Sequence, residues 1–253
     1  MSFETQARSL PRQASRPVSY VPAANVSERA RLSPQIQVST VIFGLYNNKD
    51  LWIPLVKRIR APYLGQWALP GGPLTAAETM TDVAYRSLKA TTDLAPAYLE
   101  QLYAFGGLGQ QQAPRTVSIA YWAILPADEI NQDAHENVRW FRADEIAELD
   151  LAFDHNTVIE YALWRLRNKV EYSSIGYDVL GEKFTIAQLR EVYEAILGKP
   201  IDPGNFSRQV RANPDLEATE EFLTGGKHRP PRLYRYTGAA DRRNNGPLSG
   251  FDQ

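Results

Sequence analysis

Ile36, Val38, Thr40 and Ile42 alternate with other residues and run into an apolar stretch at 43–46, which predicts a half-buried strand. A turn at 47–50 and a second apolar run at 51–58 predict the strand that returns beside it. A loop at 61–66 leads to a short strand and turn at 67–72. From 75 to 90 the period changes. Met80, Val83, Ala84 and Leu88 fall at helical spacing and predict a helix with those residues in the core. Thr75 and Glu78 have the spacing of a capping box at its start. Further strands are predicted at 99–105, 116–125 and 138–141. The second of these is nearly all apolar and therefore central. An acidic helix start is expected at Asp144 and Glu145. Asp154 reads as an N-cap to an amphipathic helix with Val158, Ile159, Ala162, Leu163 and Leu166 inside and Arg165, Arg167 and Lys169 outside.

The pattern restarts after 172–174. Thr185 and Gln188 form a second capping-box signature, and Ile186, Leu189, Val192, Tyr193, Ile196 and Leu197 make one apolar face. Gly198 is the expected C-cap. Asp202-Pro203 opens another helix, with Pro at its first position, that carries Phe206 and Val210 inward and ends near Asn213-Pro214. Two short helices joined this closely read as helix-turn-helix. The second exposes Asn205, Ser207, Arg208, Gln209 and Arg211, the residue types that contact base edges and phosphates. They equally suit a solvated helix face. The acid-free stretch 225–236, with Lys227, Arg229 and Arg232, lies between predicted strands at 221–223 and 233–236. That is the shape of a winged helix with a basic wing.

Composition narrows the class. The chain has 253 residues, comfortable for two domains, and 43% hydrophobic content, enough for a core. It contains no cysteine, so neither a disulfide framework nor a thiolate metal site is available. No run reaches the length of a transmembrane helix, and no apolar signal-peptide core opens the chain. A cytoplasmic protein without a membrane partner is expected. The net charge of -1 means that nucleic-acid binding must come from a local patch. Residues 1–34 read as a flexible arm. It is locally basic through Arg8, Arg12, Arg16, Arg29 and Arg31, and either disordered or in contact with DNA. Residues 238–253 read as a flexible tail.

The stretch from Gly72 to Leu94 resembles the Nudix box, G-x5-E-x7-R-E-U-x-E-E-x-G-U. Gly72, Glu78, Arg86, Leu88 and Leu94 stand where the pattern wants them. Ser87, Ala90 and Thr91 occupy the three later Glu positions, and Asp93 replaces the second Gly. Mg2+ takes hard oxygen ligands, a carboxylate or two plus substrate phosphates. Ala90 has no oxygen, and Ser87 and Thr91 offer neutral hydroxyls. Glu78 is left, and it reads as the capping partner of Thr75 before it reads as a base. Arg86 is either an ion-pair partner of Glu78 or a phosphate contact. Gly71 and Gly72 let the backbone approach a ligand closely, or simply turn the chain. The segment 151–155, Leu-Ala-Phe-Asp-His, resembles one found in Nudix proteins of ADP-ribose and NAD metabolism, with His155 either at the pocket or a satisfied helix-start residue.

A degenerate Nudix domain followed by a winged helix resembles the Nudix-related transcriptional regulators of NAD metabolism, the NrtR-like family. The segments 193–200, 205–206 and 232–235 are similar to that family, and the likeness spans roughly 36–237. The resemblance implies an α+β fold with α/β character: an N-terminal Nudix fold, a mixed sheet sandwiched by helices, over 35–172, and a C-terminal winged helix-turn-helix domain over 173–237. It implies a homodimeric repressor that binds a double-stranded DNA operator, with ADP-ribose or a related nucleotide as effector and no cofactor, catalytic residue or metal. Arg58, Gly71, Gly72, Arg86, Arg115 and His155 are the expected pocket residues. The loop before Arg115 is Gln-rich at 110–112, where ADP-ribose-handling relatives are expected to be Asp-rich. Two other readings stay open. One is a Nudix pyrophosphatase with residual Mg2+-dependent activity built on Glu78 and Asp82, which share a helix face. The other is a C-terminal domain that binds protein instead of DNA.

Overall fold

A computed structural model of the chain describes residues 34–46, 49–96, 99–106, 116–125, 136–171, 173–224 and 230–238. The arm at 1–33, the tail from 239 onward, and Arg115, Lys227 and Arg229 lie outside the described residues.

Strands β1 (Gln35–Tyr46) and β2 (Asp50–Lys57) pair antiparallel, with Gly44 opposite Trp52. Two short strands follow, β3 (Trp67–Ala68) against β2 and β4 (Gly71–Pro73) against β1. Helix α1 spans Met80–Thr92. Strand β5 (Glu100–Phe105) forms one edge and pairs antiparallel with β6 (Thr116–Leu125). β6 runs parallel to β1 along ten paired positions from Gln35↔Thr116 to Gly44↔Leu125. Strand β7 (Val138–Arg142) closes on β2. The seven-stranded sheet is therefore mixed, with order β3-β2-β1-β6-β5 and β4 and β7 off that path.

The period of two in β1 sorts the core into layers. Val41, Phe43 and Leu45 pack with Leu55 and Trp122 against Val158, Ile159, Ala162 and Leu166 of α2 (His155–Val170). Val38 and Ile42 point the other way, to Val83, Ala84 and Leu88 of α1. The sheet is covered on both faces, which is why β1 is buried without a break from Val38 to Leu45 and β6 is apolar nearly throughout. Each buried Val, Leu, Ile or Phe among them stabilises the fold by roughly 1.5–3 kcal/mol.

Beyond α2 come a short helix α3 (Ile175–Asp178), which the sequence pattern did not predict, then α4 (Ile186–Leu197) and α5 (Pro203–Arg211). The expected capping box is present: the Thr185 side chain accepts from Gln188 N–H, and Gln188 in turn accepts from Thr185 N–H. Asp202 caps α5 by accepting from Asn205 N–H at 2.7 Å, with Pro203 at its start. Strands β8 (Leu216–Phe222) and β9 (Arg232–Tyr236) form the two-stranded wing, and Phe184 bridges to Tyr234 as a third edge. Leu189, Phe206 and Val210 gather with Tyr177 and Phe184 into a local core. Val192 and Ile196, on the other side of α4, join the sheet-facing core with α2. The second module is thus not hung on a loop: one helix serves both cores. Among the described residues, no helix is long and apolar enough to cross a membrane.

Several expectations change. Helix α1 begins not at Thr75 but at Met80, capped by Thr79, whose side chain accepts from Asp82 N–H while Asp82 accepts from Thr79 N–H. Thr75 and Glu78 lie in the turn before it, hydrogen-bonded to each other at 2.6 Å. Two sets with the same spacing stand four residues apart; the helix uses the second, and Glu78 of the first pairs with Arg86. Met80, now the first residue of the helix, is 37% exposed instead of core. The acidic start at 144–145 yields only a 3₁₀ turn, Ile146–Glu148. Asp154 occupies the N-cap position of α2 without a side-chain capping bond. Asn156 organises the turn instead, accepting from Leu151 N–H and donating to the Ile146 and Leu149 carbonyls. Two of the three cations of α2 turn inward, Arg165 and Lys169 both reaching the buried Glu100; Arg167 stays exposed as expected, with its Nε donating to the Ile196 carbonyl near the end of α4. The first wing strand starts five residues earlier than the predicted 221, at Leu216.

Candidate functional site

A cavity of ≈400 Å³ opens where β2 ends, in the size range of small-ligand sites. Its walls come from four separate parts of the chain: 56–60, 68–71, Ala90 with Thr91 at the end of α1, and Asn137. Lys57, Arg58 and Arg60 line it and, among the described residues, no carboxylate does, so this lining is cationic. Arg58 is held in place. Its Nε donates to the Pro62 carbonyl at 2.8 Å, and its guanidinium lies 4.7 Å from the centre of the Phe153 ring. Tyr63 packs on the other side of that arrangement, 4.7 Å from Phe153 between ring centres. Both aromatics have left-handed backbone, φ 64° and 60°. That conformation is unfavourable for bulky residues and clusters at functional sites.

The residues of the Nudix-like box are distributed around this cavity, not gathered in it. Arg86 grips Glu78 with Nε and, at 3.0 Å, with Nη2. The Arg86 guanidinium and the Thr75 hydroxyl hold the Glu78 carboxyl below the usual carboxylate range. Hydrogen bonds from the Thr79 side chain and backbone do the same for Asp82. Ser87 is buried, and its Oγ finds no hydrogen-bond partner among the described residues. Thr91 donates its hydroxyl to the Ser87 carbonyl at 2.6 Å. Among the described residues, no three His, Cys, Asp or Glu side chains come together as a metal-ligating group.

Gly71 lines the cavity, and Gly72 lies one residue beyond its described lining. Both are required by the protein's own packing. A Cβ on Gly71 would strike the Val38 carbonyl, and one on Gly72 would sit 2.7 Å from Ser87 Oγ. His155 is buried at the start of α2, and its Nδ1 accepts from Leu69 N–H at 2.9 Å, so it braces the wall segment 68–71 from behind. Burial, with Arg58 nearby, lowers its pKa to about 4. Of the expected pocket residues, the structure thus brings Arg58 and Gly71 to the cavity, places Gly72 and His155 behind its wall, and ties Arg86 to Glu78. Sequence reasoning missed Lys57, Arg60, Asn137, Tyr63 and Phe153. The basic end of the returning strand was the available signal for the first two. Asn137 carries no local pattern.

The second candidate surface is the outer face of α5. Asn205, Arg208, Gln209 and Arg211 are exposed and Ser207 is half-buried, while Phe206 and Val210 anchor the opposite face. Arg208 Nη2 donates to Asn205 Oδ1 at 2.7 Å, one turn back, which pre-orients its guanidinium. Gly204, Ser207, Arg208 and Arg211 border a shallow depression here. Arg232 opens β9 and lies over the Phe222 ring at 5.6 Å, at the loop end of the wing.

Residues 35–162 match the NUDIX domain family, and residues 176–236 match the NrtR DNA-binding winged helix domain family. The chain is 31% identical over 208 residues to the ADPR responsive transcriptional repressor NtrR of Acinetobacter baylyi, covering 81% of this chain and 82% of that protein. It superposes on Shewanella oneidensis NrtR, crystallised in complex with a 27mer DNA, with a TM-score of 0.70 at 32% identity. That match covers 82% of this chain and 94% of the other. An ADP-ribose pyrophosphatase of Methanocaldococcus jannaschii is 28% identical over 139 residues, 54% of this chain and 78% of that one. With its Nudix domain followed by an NrtR DNA-binding winged helix, this chain belongs to the NrtR family of Nudix-related transcriptional regulators.

Proposed function

We propose that this protein represses genes of NAD metabolism, binding a double-stranded operator and releasing it when ADP-ribose or a related nucleotide enters the Nudix-domain cavity. The observation that carries this reading is the pairing of a cavity whose described lining is cationic and free of acids with an exposed polar and cationic helix face in one chain of this family. The relatives support the two ligands. One is named for response to ADPR, another was crystallised with DNA, and a third is named as an ADP-ribose pyrophosphatase. Asn205, Ser207, Arg208, Gln209 and Arg211 read the operator. Arg232, with Lys227 and Arg229, lies on its phosphates. In the cavity, Arg58, Gly71 and Arg115 meet the nucleotide, while Gly72, Arg86 and His155 hold the surrounding backbone and box in shape. The regulator acts as a homodimer, since helix-turn-helix proteins read two half-sites with two-fold symmetry. Its place of work is the cytoplasm, where the operator is.

On this reading the protein is not an enzyme and needs no metal cofactor. The donor set does not suit Mg2+: Glu78 is paired with Arg86, Asp82 caps α1, Ala90 offers no oxygen and Thr91 donates its hydroxyl to the backbone. A ligand shifts an equilibrium only through differential affinity, so the nucleotide must bind better to a protein conformation that does not fit the operator. Fluorescence anisotropy on a labelled duplex from the upstream region of the protein's own gene, titrated with and without ADP-ribose, tests the proposal. Tight binding reversed by ADP-ribose is expected. Tight binding indifferent to ADP-ribose would remove the proposed effector. The similarity to a pyrophosphatase favours one alternative, residual Mg2+-dependent hydrolysis on Glu78. AMP release from ADP-ribose that Glu78→Gln abolishes would establish it.

A further inference from the structure

In a metal-dependent Nudix site, carboxylates hold a divalent ion and the ion faces the diphosphate. Here both halves of that arrangement are altered at once. Ala90 and Thr91 stand where the box has Glu, and they line the cavity. Also lining that cavity are Lys57, Arg58 and Arg60, with no carboxylate among the described lining residues to neutralise them. We infer that this cavity is a metal-independent diphosphate site, in which Lys57, Arg58 and Arg60 supply directly the positive charge that a divalent ion would bring. With Ala at position 90, no carboxylate from that position competes with the ligand for those cations. The inference rests on the nucleotide reading above, and adds to it the residues that hold the diphosphate and its independence from divalent ions.

The charge balance is favourable. A diphosphate diester carries about two negative charges, which the three positive side chains more than offset. The three side chains thus bring at least the positive charge of a divalent ion without help from bound carboxylates. Arg58 is also pre-organised. With its Nε committed to the Pro62 carbonyl and its face on Phe153, its guanidinium has a fixed plane, and the planar fork of Arg suits phosphate oxygens. The remaining acid of the box cannot recruit an ion to the cavity while Arg86 holds it with two donors. A carboxylate introduced at position 90 would enter the same space as the three cations. It would pair with them and compete with the diphosphate, unless a divalent ion bridged the two.

Isothermal titration of the full chain with ADP-ribose and, separately, with inorganic pyrophosphate, each in chelator and in Mg2+, tests this. Wild type is expected to bind both probes in chelator, with ADP-ribose affinity changing by less than about threefold on adding Mg2+. The double substitution Lys57→Ala, Arg60→Ala is expected to weaken both probes by about tenfold or more. Ala90→Glu, at an exposed helix position, is expected to fold normally and to weaken binding in chelator by a similar factor, with Mg2+ restoring part of the loss. Wild-type binding that appears only with Mg2+ would overturn the inference and leave the nucleotide reading standing. Pyrophosphate binding in chelator without ADP-ribose binding would leave the diphosphate site standing and remove ADP-ribose as effector. An Ala90→Glu protein that folds and binds like wild type in chelator would also overturn it.

Discussion

His155 and Leu69, 86 positions apart, are joined by a 2.9 Å hydrogen bond from the Leu69 backbone N–H to the imidazole Nδ1. The bond ties the first residue of α2 to the wall of the cationic cavity. An accepting Nδ1 requires the neutral ring, and burial, with Arg58 nearby, lowers the pKa from 6.5 to about 4.

That shift predicts a pH dependence of stability. Between about pH 6.5 and pH 4 the unfolded chain binds a proton at His155 that the folded chain refuses, so stability rises with pH across this window. The contribution is complete above about pH 6.5, is lost as pH falls, and levels off below about pH 4 at a cost of about 3 kcal/mol. Urea denaturation of wild type and His155→Gln at several pH values checks this. The stability difference should shrink as pH falls, and parallel pH profiles would place the titration elsewhere.

The start of α1 gives a second test. Thr79 caps the helix, whereas Thr75 only bonds Glu78 in the preceding turn. Thr79→Ala should destabilise by about 1 kcal/mol, as loss of an N-cap does. Thr75→Ala should cost clearly less. Equal losses by thermal or chemical denaturation would contradict the assignment of the cap.

Arg208 and Arg232 are expected to contribute to operator binding in different ways. Arg208→Ala should cost about 1–3 kcal/mol on the specific site and leave ADP-ribose binding intact. Arg232→Ala should weaken specific and non-specific DNA alike and reduce the slope of log affinity against log salt by about one. Anisotropy titrations across a salt series distinguish the two, and unchanged operator affinity in the Arg208 variant would remove it from the interface.

Glu100 is buried on the edge strand, with Lys169 and Arg165 of α2 upon it. Glu100→Ala leaves a largely buried Lys169 without its carboxylate and should destabilise by about 3–5 kcal/mol. Glu100→Met combined with Lys169→Met should recover most of that loss, because apolar replacement of a buried pair is often near neutral. A double variant as unstable as the single one would mean that the pair is not the source of the effect.

The residues alone determined whatever closes within a few positions. The alternation in β1, the apolar run of β6, the Thr185–Gln188 capping box and the Asp202-Pro203 start of α5 are all legible because their hydrogen bonds and side-chain faces are set by near neighbours. The resemblance carried Arg58 and Gly71 to the cavity. Tertiary structure decided every choice among distant partners. Thr75 and Thr79 offer the same local signal, yet only Thr79 caps the helix, while Glu78 pairs with Arg86 eight positions on. Arg165 and Lys169 read as solvent-facing by period, yet turn to a carboxylate 65 and 69 positions away. Lys57, Arg60, Ala90 and Asn137 share no local pattern. They become one cavity only because the end of β2, the end of α1 and the approach to β7 converge in space, and that convergence is set by packing on the two faces of the sheet rather than by any of those segments alone.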